Sequence, residues 1–552
     1  MLQETSSESK PRKKSANEAS RFLDLQIAQL NESIRIVDSQ RNAHLPISTL
    51  PVEILTKIFL LHQHNMTVQT FDWIKITHVS QRWRDIALNF SHLWIHIPFH
   101  HPKWAKEMIA RSQHACPIVK ANYIPSLYPS EAQLLKTFLQ QHLSRVQVLQ
   151  IRSTDSQLLA ELFQDIQPTS VPCLSTLSLS VQQWQDPGTD AVPDFLQILD
   201  SRFSNTNSLR KVEAPTTLRW DLRLFSGLTH LRLGDSRNMS RTQTSQREFL
   251  DALRRMQTLQ TLHLDESVLP KAVDKSSLEP VHLPDLRDLS VFDTVSAIEF
   301  FLHHITFPPT TRTAICWKHL NPVLQLSSMT SVLVLLKRLL SERPCALKLR
   351  HIELTSLDEC DESWRLNLKG WSRSSFKGYD PHFDPDFTFC VEWDSEQVDF
   401  LPTIDELGII MFGIVPQDNV VSLSVVSYDG SCLRHFAPKI AQLPALHALR
   451  LSYIPSAPFF HELDCDVLQE GDDPSIPTYP ALRYLDLSNR ELDVRNLKAL
   501  YKYLKKRSKL GLGPKKLKAD LRGLRKVDKK ATALLEKVVK VVSQSVMSDW
   551  NS

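Results

Sequence analysis

The sequence predicts an α/β chain: a small all-α module, preceded by a short coiled-coil-like helix and followed by an irregular solenoid of strand–helix units. Three observations predict this. Apolar residues at 23, 27, 30, 34 and 37 alternate steps of four and three. Two or three short amphipathic helices fill residues 44–98. From residue 143 onward the pattern Leu-x-x-Leu-x-Leu recurs, with helical stretches between its copies. At 552 residues the chain exceeds one ordinary core, so several domains or a repeat array are expected. The expected division is a tail without order over 1–16, the helix over 17–43, the helical module over 44–98 and the repeat-bearing region over 99–550.

The tail is polar and charged, with the basic cluster Pro11-Arg12-Lys13-Lys14, and reads as solvated chain. In the helix that follows, Leu23, Ile27, Leu30, Ile34 and Val37 form the seam, which Arg41 and His44 end. A helix this short is marginal alone in water. It is expected to pack back on the module, with weak pairing to a second copy as the alternative.

The module opens with Leu50-Pro51-Val52-Glu53-Ile54-Leu55-Thr56-Lys57-Ile58-Phe59. Pro51 suits the first turn of a helix, where its missing N–H costs nothing. Ile54, Leu55, Ile58 and Phe59 share one stripe, with Glu53, Thr56 and Lys57 on the other side. A second helix is expected from Asp72, carrying Ile76, Val79, Trp83, Ile86 and Ala87, and Leu93-Trp94 closes the unit. So few helices make a core too small to cover every apolar face, which suggests docking against a partner.

In order and spacing these pieces resemble an F-box, and are closest to the fungal F-box-like subgroup, whose members often carry a coiled-coil helix just upstream. One departure is Ser80-Gln81-Arg82, where many members carry Cys-Arg; a small residue is kept at 80. The resemblance implies binding to a Skp-family adaptor, which links to a cullin ligase scaffold. It implies adaptor contact by Leu50, Pro51, Ile54, Leu55, Ile58, Phe59, Val79 and Trp83, with Trp94 structural.

The recurring pattern appears at Leu174-x-x-Leu177-x-Leu179, Leu228-x-x-Leu231-x-Leu233, Leu259-x-x-Leu262-x-Leu264 and Leu286-x-x-Leu289-x-Val291. It returns at Leu349-x-x-Ile352-x-Leu354, Val420-x-x-Leu423-x-Val425, Leu446-x-x-Leu449-x-Leu451 and Leu482-x-x-Leu485-x-Leu487, with Leu143-x-x-Val146-x-Val148 as a first copy. Each copy predicts a short parallel strand whose alternate side chains point inward. Helical stretches fall between, at 195–199, 249–253 and 497–501. The arrangement resembles an irregular leucine-rich-repeat solenoid, whose units bury their faces only against neighbours. It is degenerate: the asparagine that usually follows the strand is clear only at Asn489.

Two segments depart from the pattern. Residues 355–419 collect carboxylates, among them Asp358, Glu359, Asp361 and Glu362, with Trp364, Trp371, Phe376, Tyr379 and Trp393. They read as an insertion or as two irregular repeats, with Thr388–Trp393 as a strand. Between Tyr501 and Lys530, part of the basic stretch 501–530, thirteen Lys/Arg face two acids, a local charge of +11 within a chain of net +4, which leaves −7 elsewhere. This stretch reads as a solvated basic face threaded by Leu504, Leu517, Leu521 and Leu524; contact with phosphates is the alternative. Ala531 to Val546 is amphipathic and is expected to cap the last repeat.

Composition excludes several classes. The apolar run Val332–Leu336 stops at Lys337-Arg338, so no membrane span is expected, and no apolar leader region opens the chain. Eight scattered cysteines without a C-x-x-C pair suit a reducing cytoplasmic or nuclear setting. Only twelve glycines occur, and Gly511-Leu512-Gly513 lacks the wider nucleotide-binding fingerprint. The close pairs His62/His64, His100/His101 and His303/His304 lack a second ligand pair. No catalytic pattern stands out, so no enzyme activity, cofactor or metal is expected. The expected role is substrate receptor of an SCF-type ubiquitin ligase with an unknown protein substrate. A non-degradative scaffold is the runner-up, and a nucleic-acid-associated protein a more distant one.

Overall fold

The computed structural model describes residues 10–65, 71–125, 127–154, 156–181, 195–215, 219–234, 245–265, 268–270, 278–319, 326–341, 348–359, 363–372, 384–394, 408–427, 439–440, 443–452, 481–487, 494–509, 516–519 and 540–542. The chain forms two compact units, Met1–Gln150 and Ile151–Ser552.

The first unit begins with α1 (Lys10–Ala43), α2 (Val52–Asn65) and α3 (Gln81–Asn89), with 3-10 turns at Pro46–Thr49, Phe71–His78 and Ser91–Trp94. Helix α1 starts at Lys10, inside the tail expected to lack order. Its seam does not pack back on the module: Leu23, Ile27, Leu30, Ile34 and Val37 are between 55 and 63 % exposed. That corrects the expected intramolecular packing. Among the described residues α1 meets the Pro46–Thr49 turn at its end, and its apolar stripe runs beyond the reach of the module core.

After the module come β1 (His96–Ile97), α4 (Pro102–Ser112), β2 (Ile118–Tyr123) and α5 (Pro129–His142). The two strands are parallel, with His96 opposite Ile118. Phe99 meets Phe138 of α5 edge-on at 5.5 Å, so the compact unit continues past the boundary expected at 98. Arg145 closes the C-terminal end of α4, donating to the Ser112 hydroxyl at 3.1 Å, to the Ala115 carbonyl at 3.3 Å and to the Gln113 carbonyl. Strand β3 (Val148–Ser153) crosses from one unit to the next.

The second unit alternates helices and strands: α6 (Ser156–Gln164), β4 (Thr169–Ser170), β5 (Thr176–Val181), α7 (Phe195–Arg202), β6 (Phe203–Ser204), β7 (Lys211–Ala214) and β8 (His230–Leu233). Next come α8 (Gln246–Arg255), β9 (Thr261–Leu264), β10 (Val281–His282), β11 (Asp288–Asp293), α9 (Val295–His304), β12 (Ile305–Thr306) and β13 (Arg312–His319). Then follow α10 (Leu326–Ser341), β14 (His351–Glu359), β15 (Ser363–Trp371), β16 (Phe387–Asp394), β17 (Ser422–Ser427), β18 (Ala448–Ser452) and β19 (Tyr484–Leu487). The helix Val494–Lys509 precedes β20 (Lys516–Ala519) and β21 (Lys540–Val542).

From β5 to β21 these strands form one ladder, in the order β5-β7-β8-β9-β11-β13-β16-β15-β14-β17-β18-β19-β20-β21. Every pairing is parallel except the two made by β15. The eight Leu-x-x-Leu-x-Leu copies from Leu174 onward supply eight of its strands, and all their pattern residues are buried. The first copy is displaced: Val146, Leu149 and Ile151 form the triplet of the strand, while Leu143 is buried in the turn before it and Val148 is only half-buried. Leu143–Arg145 is a 3-10 turn that ends α5, which delays the strand by one step of the pattern. A further copy, Leu209-x-x-Val212-x-Ala214, makes β7. Its final alanine departs from the large aliphatics of the other copies.

The segment 355–419 enters the ladder. β14 and β15 form an antiparallel pair, and β16 returns to pair parallel with β13. Gly370 on β15 is required by a close approach, because a Cβ there would meet the Leu349 side chain at 2.8 Å. Helix α8 covers 249–253 and starts with a capping box: the Glu248 amide donates to the Ser245 hydroxyl at 3.2 Å, and the Ser245 amide to Glu248 Oε2 at 3.4 Å. Its Phe249, Leu250, Ala252 and Leu253 are buried. At the other end Lys540–Val542, within the stretch expected to cap the last repeat, is a strand parallel to β20. Asp361, Glu362, Phe376, Tyr379, Asn489, Leu521, Leu524 and most of 531–546 lie outside the described residues. Among the described residues no helix is long and apolar enough to cross a membrane.

Candidate docking surface on the helical module

The module is held from its entry. Arg82 on α3 donates to the Leu50 carbonyl at 2.6 Å and to the Ser48 carbonyl, tying the segment before α2 to α3. Ser48 Oγ donates to the Asn42 carbonyl at 2.6 Å, and Thr49 Oγ1 to the Pro46 carbonyl at 2.7 Å. The Pro51 carbonyl then accepts from the Ile54 and Leu55 amides, opening α2. The small residue at 80 has a physical role: Ser80 caps α3, its hydroxyl accepting from the Trp83 amide at 3.2 Å.

Inside, Leu55 and Phe59 are 0 % exposed, and the Phe59 ring lies 5.0 Å from that of Trp83. Trp73 and Trp94 meet at 5.1 Å. The Trp94 indole N–H donates to the Ala87 carbonyl at 2.9 Å, and the Arg111 guanidinium sits 4.5 Å above its ring. Gln63 Nε2 donates to the Leu93 carbonyl at 2.8 Å, joining the end of α2 to the closing turn.

Outside, apolar side chains remain. Ile54 is 41 % exposed, Val79 55 % and Leu61 64 %; Leu45, Ile47, Pro51 and Val52 are also exposed. Of the eight residues assigned to adaptor contact, Pro51, Ile54 and Val79 are therefore free to meet a partner. Leu50, Ile58 and Trp83 are half-buried and serve both core and surface. Leu55 and Phe59 are corrected to core, because the i, i+4 stripe they share faces Trp83. Leu45, Ile47, Val52 and Leu61, not among the eight, add to the exposed apolar surface. The available signal was the excess of apolar residues on α2, more than one core-facing stripe needs.

A second surface of different chemistry lies on the ladder. One row of register partners crosses it from β5 to β19 and is mostly polar: Ser178, Glu213, Arg232 and His263 lead, and Lys369, Glu353, Arg450 and Asp486 follow further along. Many of its groups are already paired. Ser178 Oγ donates to Glu213 Oε2 at 2.7 Å, Lys369 Nζ meets Glu353 Oε1 at 3.5 Å, and Arg450 Nε meets Asp486 Oδ2 at 3.1 Å. Burial pushes the Glu213 carboxyl up, but hydrogen bonds from Lys211 and Ser178 outweigh it and leave its pKa below the ordinary value. Burial, then the Arg232 charge, hold the His263 pKa below that of a free imidazole. One step along, Cys316 and Cys390 are cross-strand partners, and hydrogen bonding to Cys390 together with burial pushes the Cys316 thiol well up. The basic stretch is partly internal: Arg507 is buried and donates to Tyr503 Oη at 3.2 Å and to the Leu482 carbonyl at 3.3 Å, whereas Lys502, Lys505 and Lys509 are exposed. Among the described residues no cluster of three or more His, Cys, Asp or Glu is placed to hold a metal ion.

No curated protein matches the chain. Residues 47–100 match the family model described as F-box-like, against the span of 44–98 read from the sequence. F-box domains generally bind Skp-family adaptors. The chain thus carries an F-box-like domain over residues 47–100, and the exposed apolar side chains of α2 and its flanking turns belong to that domain or border it.

Proposed function

We propose that this chain is a substrate-receptor subunit of an SCF-type ubiquitin ligase. The observation that carries the reading is the division of α2: Leu55 and Phe59 fill the module core while Ile54 and Leu61 on the same helix stay exposed, as does Val79 before α3. Exposed apolar surface on so small a domain calls for a partner, and a Skp-family adaptor is what an F-box-like domain predicts. The adaptor would link the chain to the cullin scaffold. The protein substrate would meet the polar row on the ladder, whose side chains select by hydrogen bonds and charge. On this reading the chain supplies no catalytic group. It raises the local concentration of substrate lysines at a bound conjugating enzyme.

Affinity capture of the full chain tests this. Skp-family adaptor and cullin should co-purify, and Ile54→Asp/Val79→Asp should abolish both. Substrates that accumulate when the double variant replaces the native chain support a receptor. Unchanged levels of every captured partner would favour the non-degradative scaffold. Absence of adaptor from captures of the native chain would overturn the proposal.

A further inference from the structure

Among the described residues the seam of α1 is a long apolar stripe that neither the module core nor the ladder uses. We propose that a second copy of this chain covers it, in a parallel, in-register two-stranded coiled coil over residues 23–37. Helix α1 is 34 residues long, and its stripe of five aliphatics is more than half exposed along its whole length. Helices in water draw most of their stability from packing an apolar face. Among the described residues nothing packs on this one.

The sequence of the seam selects the occupant. Steps of four and three place Ile27 and Ile34 at a positions, and Leu23, Leu30 and Val37 at d positions. β-Branched residues at a with leucine at d favour two parallel strands. Ser20 and Arg41 occupy the next a positions and bound the apolar layers. Charge points the same way. The e positions hold Asp24, Asn31 and Asp38, and the g positions Gln26, Ser33 and Gln40. A parallel pair brings g against e of the partner, so Ser33 meets Asp38 and no like charges face each other. An antiparallel pair centred on Asn31 would bring Asp24 against Asp38. The ion pair of Arg35 with Glu32, at 2.8 Å, lies on the b and f positions, away from the seam.

Sedimentation velocity of the full chain over a range of concentrations tests the idea. The native chain should sediment as a dimer at the upper end, and Leu30→Asp/Ile34→Asp as a monomer throughout. The double variant should still capture the adaptor, which shows that the F-box-like domain remains folded and separates this inference from the proposed function. Orientation has its own readout. Under mild oxidation Leu23→Cys should form a disulfide-linked dimer that the native chain does not, because only parallel helices bring position 23 against itself. A native chain that stays monomeric at every concentration would overturn the proposal, as would a dimer indifferent to Leu30→Asp/Ile34→Asp. A dimer without the Leu23→Cys link would overturn the parallel arrangement.

Discussion

The F-box-like domain and the strand ladder solve opposite surface problems. In the domain, one short helix carries apolar side chains on two sides, so Leu55 and Phe59 face inward while Ile54 and Leu61 face water. In the ladder, neighbouring register rows separate cleanly. Ala214, Leu233, Leu264, Val291 and Ile315 form a buried row, and the row one residue earlier, from Glu213 through Arg232 and His263, is polar. A strand's alternation gives a sheet one face for the core and one for solvent. A small helical domain has no such second layer, and on the proposed function its excess apolar surface is where the adaptor docks. The ladder's polar row pairs several of its groups within the chain, and on the proposed function it is the surface that meets the substrate.

Substitutions can break this contrast. The largest effect is expected in either core: Phe59→Ala in the domain, or Leu262→Ala in the ladder, should each cost about 2–5 kcal/mol, read by thermal or denaturant unfolding of the respective unit. Phe59→Ala should also lose adaptor capture, through loss of the fold. Ile54→Asp/Val79→Asp should lose capture while the unfolding midpoint barely moves, since surface changes away from structural features stay within about 0.5 kcal/mol. Equal destabilisation by the two domain variants would erase the distinction between core and docking face. Ser80→Ala removes the α3 cap and should cost about 1 kcal/mol, weakening capture only as far as it loosens the Trp83 side.

The smallest expected effect is on pH dependence. Burial holds the His96 pKa below its ordinary value, with help from Lys120 and His64, and burial does the same for His142, with help from Arg145. The unfolded chain therefore takes up protons that the folded chain refuses. Stability should be full above the free-histidine value of about 6.5 and should fall as the pH drops below it, towards the lowered folded values. Unfolding midpoints measured from neutral to mildly acidic pH check this, and His96→Gln should flatten the slope.

Much of the architecture was legible because period-2 burial leaves a plain signature. Eight aliphatic triplets located eight strands, and the F-box-like helices were visible from Pro51, Trp83 and Leu93-Trp94. What escaped has particular causes. β7 ends on Ala214, too small to register as part of a leucine pattern, and the first strand was shifted by the turn at Leu143–Arg145. The antiparallel β15 could not be read from local sequence, because its place between β14 and β16 depends on pairing far along the chain. Within the domain, spacing put Ile54, Leu55, Ile58 and Phe59 on one stripe, yet Leu55 and Phe59 are buried and Ile54 is exposed. Both sides of α2 are apolar, so spacing alone could not say which faces Trp83.

The most direct test of the central claim is titration of purified Skp-family adaptor into the full chain, native and Ile54→Asp/Val79→Asp. The account predicts saturable one-to-one binding per chain by the native protein and no detectable binding by the variant, with unfolding midpoints that coincide. Equal affinity for both proteins would contradict it.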